Sequence, residues 1–130
     1  MTLVVLDTNI LVSSLWSNNG APARVVQKVL EKQVTICHDY RIINEYKQVL
    51  TRPKFGFDPS DIRDLLDFIQ RSGLSIIAEP IDVFFADESD RKFYEVAKTM
   101  GALLITGNTK HYPNEPFIIT PANFIKDSTS

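Results

Sequence analysis

Short apolar runs alternate with amphipathic helical segments along nearly the whole chain. Five runs have the length and the aliphatic or β-branched content of buried strands: residues 3–6, 34–37, 74–77, 102–105 and 117–119. Between them, apolar residues repeat at helical spacing in four segments: about 22–33, 39–51, 59–72 and 87–100. Shorter helices are predicted after Asp7 and after Thr120. Such alternation is typical of a mainly parallel sheet, so the sequence predicts an α/β fold arranged as a three-layer α/β/α sandwich.

The length and composition fit one globular domain. The chain has 130 residues, of which 44% are hydrophobic and 23% charged. We expect a single domain over residues 1–130, with a frayed end from about residue 126. No apolar run reaches the roughly 18–20 residues of a membrane-spanning helix. Since the N-terminus also lacks the pattern of a signal peptide and Cys37 is the only cysteine, we expect a cytoplasmic protein without membrane association.

The net charge of −2 argues against a protein that binds nucleic acid through its overall charge. Basic residues occur only in short groups: residues 52–54, 91–92 and 110–111. Two arrangements reconcile this charge with nucleic-acid binding. Either several acids are neutralised by metal in one cleft, or the basic residues are gathered on one rim.

Polar residues follow two of the predicted strands, at the edge where parallel sheets bind ligands. Asp7, Thr8 and Asn9 follow the first strand, and Thr106 to Asn108 follow a later one. Asp7 is also a good helix N-cap, so its position fits either a cap or a member of a functional site. Gly107 permits a tight turn or the close approach of a phosphate.

Two further groups of acids have candidate members of the same site. Glu45 lies about 110° from the centre of the apolar face of its helix, where it points either along a cleft or into solvent. Asp87 and Asp90 form a capping-box pattern at a helix start, but Asp90 also borders the buried face. Several carboxylates at one sheet edge are the oxygen ligands that Mg²⁺ and Mn²⁺ prefer.

Other chemistries fit the sequence less well. His38 and His111 lack the spacing of a zinc site, no GxSxG motif indicates a serine hydrolase, and GNTK lacks the spacing of a P-loop. An acidic phosphatase or receiver-like domain is an alternative. An aspartyl phosphatase, however, would carry a second Asp where this chain has Asn9.

The motifs VVLDTN, DESDRKFYEVA and LLITGN, with Glu45 on a helix between the first two, together resemble a PIN domain. The resemblance is greatest to the PIN-type toxins of bacterial toxin–antitoxin systems, and it extends through RPKF to the closing ITPANFI. It implies an endoribonuclease that cleaves single-stranded RNA with Mg²⁺ or Mn²⁺. It also implies a small antitoxin protein as partner and a possible homodimer. The alternative is a PIN-fold module that binds RNA or protein but no longer cleaves.

The resemblance also implies a role for individual residues. The metal ligands would be Asp7, Glu45 and Asp90, with Asp87 as an auxiliary acid. Thr8, Asn9 and Thr106 would support them, with Asn9 orienting Asp7, and Arg91, Lys92 and Lys110 would bind substrate. Asn108 stands where family members often carry Asp, so we expect it to be a weakened fourth member of the catalytic set and the second metal site to be weak.

Overall fold

The computed structural model describes the backbone of residues 2–129 and the side chains through residue 127. The strands are β1 (Thr2–Leu6), β2 (Val34–His38), β3 (Leu74–Ser75), β4 (Leu103–Ile105) and β5 (Ile118–Ile119). The helices are α1 (Thr8–Trp16), α2 (Ala21–Leu30), α3 (Tyr40–Leu50), α4 (Pro59–Ser72), α5 (Arg91–Met100) and α6 (Pro121–Thr129). Single 3-10 turns cover Pro53–Phe55, Glu88–Asp90 and Thr109–His111.

The five strands form one parallel sheet in the order β3-β2-β1-β4-β5. Strand β1 lies at its centre, and its residues Val4, Val5 and Leu6 are fully buried, which explains the continuous apolar run at the start of the sequence. The helices pack their apolar stripes on this sheet. The predicted α/β/α sandwich is therefore confirmed.

The register of the central strands places the candidate site. Leu6 of β1 pairs with Ile105 of β4, so the next residues, Asp7 and Thr106, emerge side by side. The backbone N–H of Asp7 still donates to the carbonyl of Ile105, at 3.0 Å. Both side chains thus start from backbone that the sheet holds in place.

Some elements are shorter or longer than the sequence predicts. Strand β3 stops at Ser75, and residues 76–87 form neither helix nor strand. The helix expected from Asp87 begins as the 3-10 turn before α5. The end expected to fray from residue 126 continues as α6 to Thr129, where Phe124 and Ile125 are buried; Ser130 lies outside the described residues. Across residues 2–129, every helix is too short or too polar to cross a bilayer.

A buried ion pair fixes the irregular segment 76–87 to the helices. Glu95 of α5 is buried and accepts the backbone N–H of Ile81 at 2.9 Å. Arg41 of α3 bonds the other oxygen of Glu95 at 2.9 Å and also contacts Asp39 at 2.7 Å. Because a buried carboxylate needs partners, this arrangement both neutralises Glu95 and ties the segment to α3 and α5.

We predict that Glu95→Ala lowers the free energy of unfolding by about 2–4 kcal/mol, because it leaves buried donors without their acceptor. Urea unfolding followed by circular dichroism measures the change. Glu88→Ala is the matched control: Glu88 pairs with Arg91 at the surface, with 70% of its side chain exposed, and we expect little change in stability. Equal losses in the two variants would contradict the structural role of Glu95.

Candidate acidic active site

The Asp7 carboxylate is buried at the carboxyl end of β1 and is held by two hydroxyl groups. Thr106 Oγ1 donates to Asp7 Oδ2 at 2.8 Å, and the Tyr112 hydroxyl donates to the same oxygen at 3.0 Å. Asp7 occupies the N-cap position of α1, yet its side chain makes no capping hydrogen bond. The backbone N–H of Asn9 lies close enough to favour the charged carboxylate. Asp7 is thus held mainly by contacts from distant parts of the chain, and its role in a functional site stays a prediction.

Burial raises the pKa of Asp7 above its ordinary value, and the charge of Glu45 adds to this effect. The hydrogen bonds from Thr106 and Tyr112 act in the opposite direction, because they stabilise the charged form. Both of these hydroxyl bonds end on Oδ2, and neither uses Oδ1. A positive charge beside the carboxylate would lower the cost of keeping Asp7 ionised.

Glu45 reaches the site because α3 is tied to the end of β1. The hydroxyl of the buried Tyr46 donates to the carbonyl of Leu6 at 2.6 Å. The preceding residue, Glu45, accepts a hydrogen bond from the Thr8 hydroxyl at Oε2. Its other oxygen, Oε1, forms an ion pair with Lys92 Nζ at 2.7 Å. Only 12% of the Lys92 side chain and 22% of the Glu45 side chain are exposed, so the pair is well shielded from water.

Asp90 lies at the end of the 3-10 turn that precedes α5. Burial, together with the charges of Asp7, Asp87 and Glu45, raises its pKa to about 6. His111 Nδ1 lies 3.7 Å from Asp90 Oδ2, and the electrostatic influence of His111 lowers the pKa of Asp90. Asp7, Glu45 and Asp90, here called the acid cluster, are close enough for their charges to act on one another.

The acid cluster fits an oxygen-preferring divalent cation in part. Asp7 and Asp90 are partly desolvated and repel each other, which is the situation that a bound cation relieves. Glu45, in contrast, has both oxygens occupied by Thr8 and Lys92. Accordingly, the described residues contain no ready-made group of three or more carboxylate, histidine or cysteine ligands for a metal. Asp7 and Asp90 therefore have the chemistry of cation ligands, whereas Glu45 is engaged by Thr8 and Lys92 in this structure.

The remaining predicted polar residues lie around this cluster with different partners from those expected. Asp87 is exposed and caps the 3-10 turn by accepting the N–H of Ser89 at 2.9 Å. The capping box expected with Asp90 is absent, because Asp90 makes no capping hydrogen bond. Asn9 was expected to orient Asp7, but its side-chain oxygen instead accepts the N–H of Gly107 at 3.5 Å.

Asn108 acts through its backbone in this structure. Its N–H donates to Thr106 Oγ1 at 3.0 Å, which directs the Thr106 hydroxyl proton toward Asp7. The Asn108 residue is exposed at the start of the 3-10 turn 109–111. The amide therefore lies on the same loop as Thr106, without adding a negative charge to the site.

The three basic residues expected to bind substrate differ in availability. Arg91 is committed to the structure: it pairs with Glu88, and it donates to the carbonyls of Ile81 and Val83, each at 2.6 Å. Four of its five N–H donors are thus engaged within the fold, and its predicted substrate role stays a prediction. Lys92 is paired with Glu45, and Lys110 is exposed on the 3-10 turn 109–111.

Two tyrosines that position the site were missed by the sequence analysis. Tyr112 belongs to no periodic element and meets Asp7 from 105 positions away, so no local pattern marks it. Tyr46 was assigned only to an apolar stripe. Since a buried tyrosine hydroxyl usually has a hydrogen-bond partner, a tyrosine in such a stripe was a usable signal.

The chain is thus an α/β protein, a parallel α/β/α sandwich with the buried carboxylate of Asp7 at the carboxyl end of its central strand. A family model of the PIN domain matches residues 3–110. The chain therefore belongs to the PIN domain family, as the sequence motifs predicted. Members of this family are generally nucleases and typically use divalent metal ions.

Two proteins are similar to this chain, one in sequence and one in structure. The uncharacterized protein MJ1680 of Methanocaldococcus jannaschii is 31% identical over 108 residues, which cover 81% of this chain and 70% of that protein. The crystal structure of PAE2754 from Pyrobaculum aerophilum superposes with a TM-score of 0.58 at 17% identity, over 99% of this chain and 91% of that chain. The likeness to PAE2754 supports the fold.

We predict that Asp90→Asn raises the melting temperature of the metal-free protein at pH 7.5. The folded-state pKa of Asp90 is about 6 and its ordinary value is 3.8, so stability falls as pH rises through this window and stays reduced above it. The neutral amide removes that cost, about 1–2 kcal/mol after solvent screening. Thermal unfolding in EDTA at pH 7.5 and pH 4 measures the gain, which should nearly vanish at the lower pH.

Asp58→Asn is the control for this experiment. Hydrogen bonds from Ser60 lower the pKa of Asp58, so its ionised form stabilises the fold and its replacement brings no gain. A lower melting temperature for Asp90→Asn at pH 7.5 would show that the acid cluster is not a source of repulsion.

We predict that Tyr112→Phe raises the pKa of Asp7, because it removes a hydrogen bond that stabilises the charged carboxylate. The loss of one buried hydrogen bond should also cost about 1 kcal/mol of stability. Carbon-detected NMR of the Asp7 carboxyl group during a pH titration measures the pKa. Tyr94→Phe removes a hydroxyl bonded to Glu115 instead and should leave Asp7 unchanged. Identical Asp7 titrations in wild type and Tyr112→Phe would refute the positioning role.

Proposed function

We propose that this PIN domain is a metal-dependent endoribonuclease that cleaves single-stranded RNA. The observation that carries the proposal is the acid cluster at the end of β1. There Thr106 and Tyr112 hold Asp7 at one oxygen, and a cation would bind at the oxygen that neither hydroxyl uses. Asp90 adds a second carboxylate that is electrostatically coupled to Asp7.

The proposed division of labour follows from these contacts. Asp7 and Asp90 would hold Mg²⁺ or Mn²⁺, and Thr106 and Tyr112 would keep Asp7 oriented. When bound, such an ion lowers the pKa of a water molecule and polarises the phosphate, so that water can cleave the phosphodiester without a covalent enzyme intermediate. The ordered donors around Asp7 mean that its side chain needs little rearrangement before binding.

Lys92 has two successive roles in this proposal. Without substrate, it neutralises Glu45 inside the site, at 2.7 Å. An incoming RNA phosphate would compete with Glu45 for the ammonium group, since both are anions. Transfer of Lys92 to the phosphate would free a Glu45 oxygen to complete the ligand set of Asp7 and Asp90.

A biological role as the toxin of a toxin–antitoxin pair is part of the proposal, and its support is the resemblance of the sequence motifs to PIN-type toxins. The partner would then be a small antitoxin protein. Co-expression of the chain with the product of a small adjacent reading frame, followed by co-purification and growth assays, tests this role separately from the cleavage chemistry. Size-exclusion chromatography with light scattering tests whether the chain itself dimerises.

The second candidate function is a PIN-fold module that binds RNA or protein but no longer cleaves. Two observations favour it: Asn108 adds no charge where family members often carry Asp, and Glu45 is occupied by Thr8 and Lys92. The same cleavage assay separates the two functions, because the binding module would leave RNA intact at every Mg²⁺ or Mn²⁺ concentration.

We predict that Asp7→Asn lowers Mn²⁺-dependent cleavage of a fluorescent single-stranded RNA by at least about a hundredfold, because the central cation ligand loses its charge. Circular dichroism should show an unchanged fold. Asp67→Asn, on the exposed face of α4, is the matched control and should keep wild-type activity. Full activity in Asp7→Asn would contradict the assignment of the site. A wild type that is inactive with both Mg²⁺ and Mn²⁺ would favour the binding module.

A further inference from the structure

A groove of about 520 Å³ opens beside the acid cluster. Its lining residues include Phe84, Asp87, Asp90, Lys110, His111 and Tyr112, and we call it the Phe84 groove. Asp90 belongs to both the groove and the acid cluster, and Tyr112 bonds Asp7 from the groove wall. A molecule that lies in the groove therefore lies next to the proposed site of cleavage.

Phe84 is an exposed aromatic side chain on backbone that is firmly held. Its exposed fraction is 86%, whereas that of the next residue, Phe85, is 4%. Phe85 packs edge-on against Tyr94 and Tyr112, with ring centroids 5.5 and 6.1 Å away. On the other side, Arg91 bonds the carbonyl of Val83. The chain is thus anchored immediately before and after Phe84, and the ring is presented to solvent from a fixed support.

The groove contains two exposed basic residues as well as two acids. Lys110 and His111 are exposed on the 3-10 turn 109–111, and His111 Nδ1 lies 3.7 Å from Asp90 Oδ2. His111 thus offsets part of the negative charge of Asp90, and Lys110 is available to a phosphate. A nucleotide whose phosphate meets Lys110 or His111 would have its base in the groove that Phe84 lines.

We propose that the Phe84 groove binds a nucleobase of single-stranded RNA, stacked on Phe84, in the nucleotide next to the phosphate that is cleaved. This inference rests on the proposed function, since it assigns a subsite of the same enzyme. A fixed aromatic face beside cationic side chains is the combination that single-strand-binding proteins use, because every base offers a flat face for stacking. The subsite accordingly accepts bases with little regard to sequence.

The test uses a protein with a single tryptophan in the groove. Trp16→Phe removes the only natural tryptophan, and Phe84→Trp places a new one at the subsite, both in an Asp7→Asn background that does not cleave. We expect a uridine hexanucleotide to quench the fluorescence of the new tryptophan. A hexamer of abasic ribose phosphates carries the same charge without bases and should not quench it. Quenching that is equal with both ligands would overturn the proposal.

The second part of the test measures the affinity of Phe84 variants for RNA. Phe84→Ala should bind the uridine hexanucleotide about tenfold more weakly than the parent, as expected for the loss of one stacked base, and Phe84→Tyr should keep most of the affinity. Ile77→Ala alters another exposed apolar residue of the same segment, 95% exposed, and should bind as the parent does. Titration of the wild type in EDTA repeats the measurement without relying on the Asp7 variant.

The results separate this subsite from the nuclease proposal. Base-dependent quenching in a protein whose wild type never cleaves RNA would support the subsite and overturn the nuclease. Cleavage by the wild type, combined with unchanged affinity and KM in Phe84→Ala, would support the nuclease and overturn the subsite. A preference for single-stranded DNA over RNA, with cleavage confined to DNA, would overturn the RNA assignment of both.

Discussion

The burial of the Asp7 carboxylate is the constraint on which the rest of the site depends. A charged group at the end of a buried strand is costly unless donors surround it, and the fold provides two from distant parts of the chain. Thr106 arrives through the pairing of β1 with β4, and Tyr112 arrives through the 3-10 turn that follows. Tyr46 fixes α3 to the carbonyl just before Asp7 and thereby sets the distance of Glu45 from it.

The acid cluster also has an electrostatic cost that the fold only partly offsets. The pKa values of Asp7 and Asp90 are raised, first by burial and then by neighbouring charges, so the metal-free protein carries carboxylates in an unfavourable setting. The ammonium group of Lys92 offsets the charge of Glu45, the third carboxylate of the acid cluster. Natural proteins commonly accept such a loss of stability at sites that bind a ligand. The proposed cation would relieve this cost.

Features encoded in local sequence patterns could be predicted, but contacts between residues far apart in the chain could not. Alternating strands and helices were enough to place Asp7 and Thr106 at one sheet edge, because parallel strands end together. The partner of Asp7 at Tyr112 was not predictable, since it depends on how the turn after Thr106 folds back. The contacts of Arg91 were unpredictable for a related reason: it donates to the carbonyls of segment 76–87, which has no periodic pattern of its own.

The commitment of Arg91 bears on how an acidic PIN domain can hold RNA. With a net charge of −2, the chain has little overall attraction for phosphates, and Arg91 and Lys92 are already engaged within the fold. Counterion release through many basic contacts is therefore a weak source of affinity here. Stacking needs no net charge, and Arg91 serves it indirectly by anchoring the backbone beside Phe84. Because Arg91 is engaged mainly within the fold and holds the backbone beside Phe84, the proposed binding of RNA depends more on contact with a base than on charge.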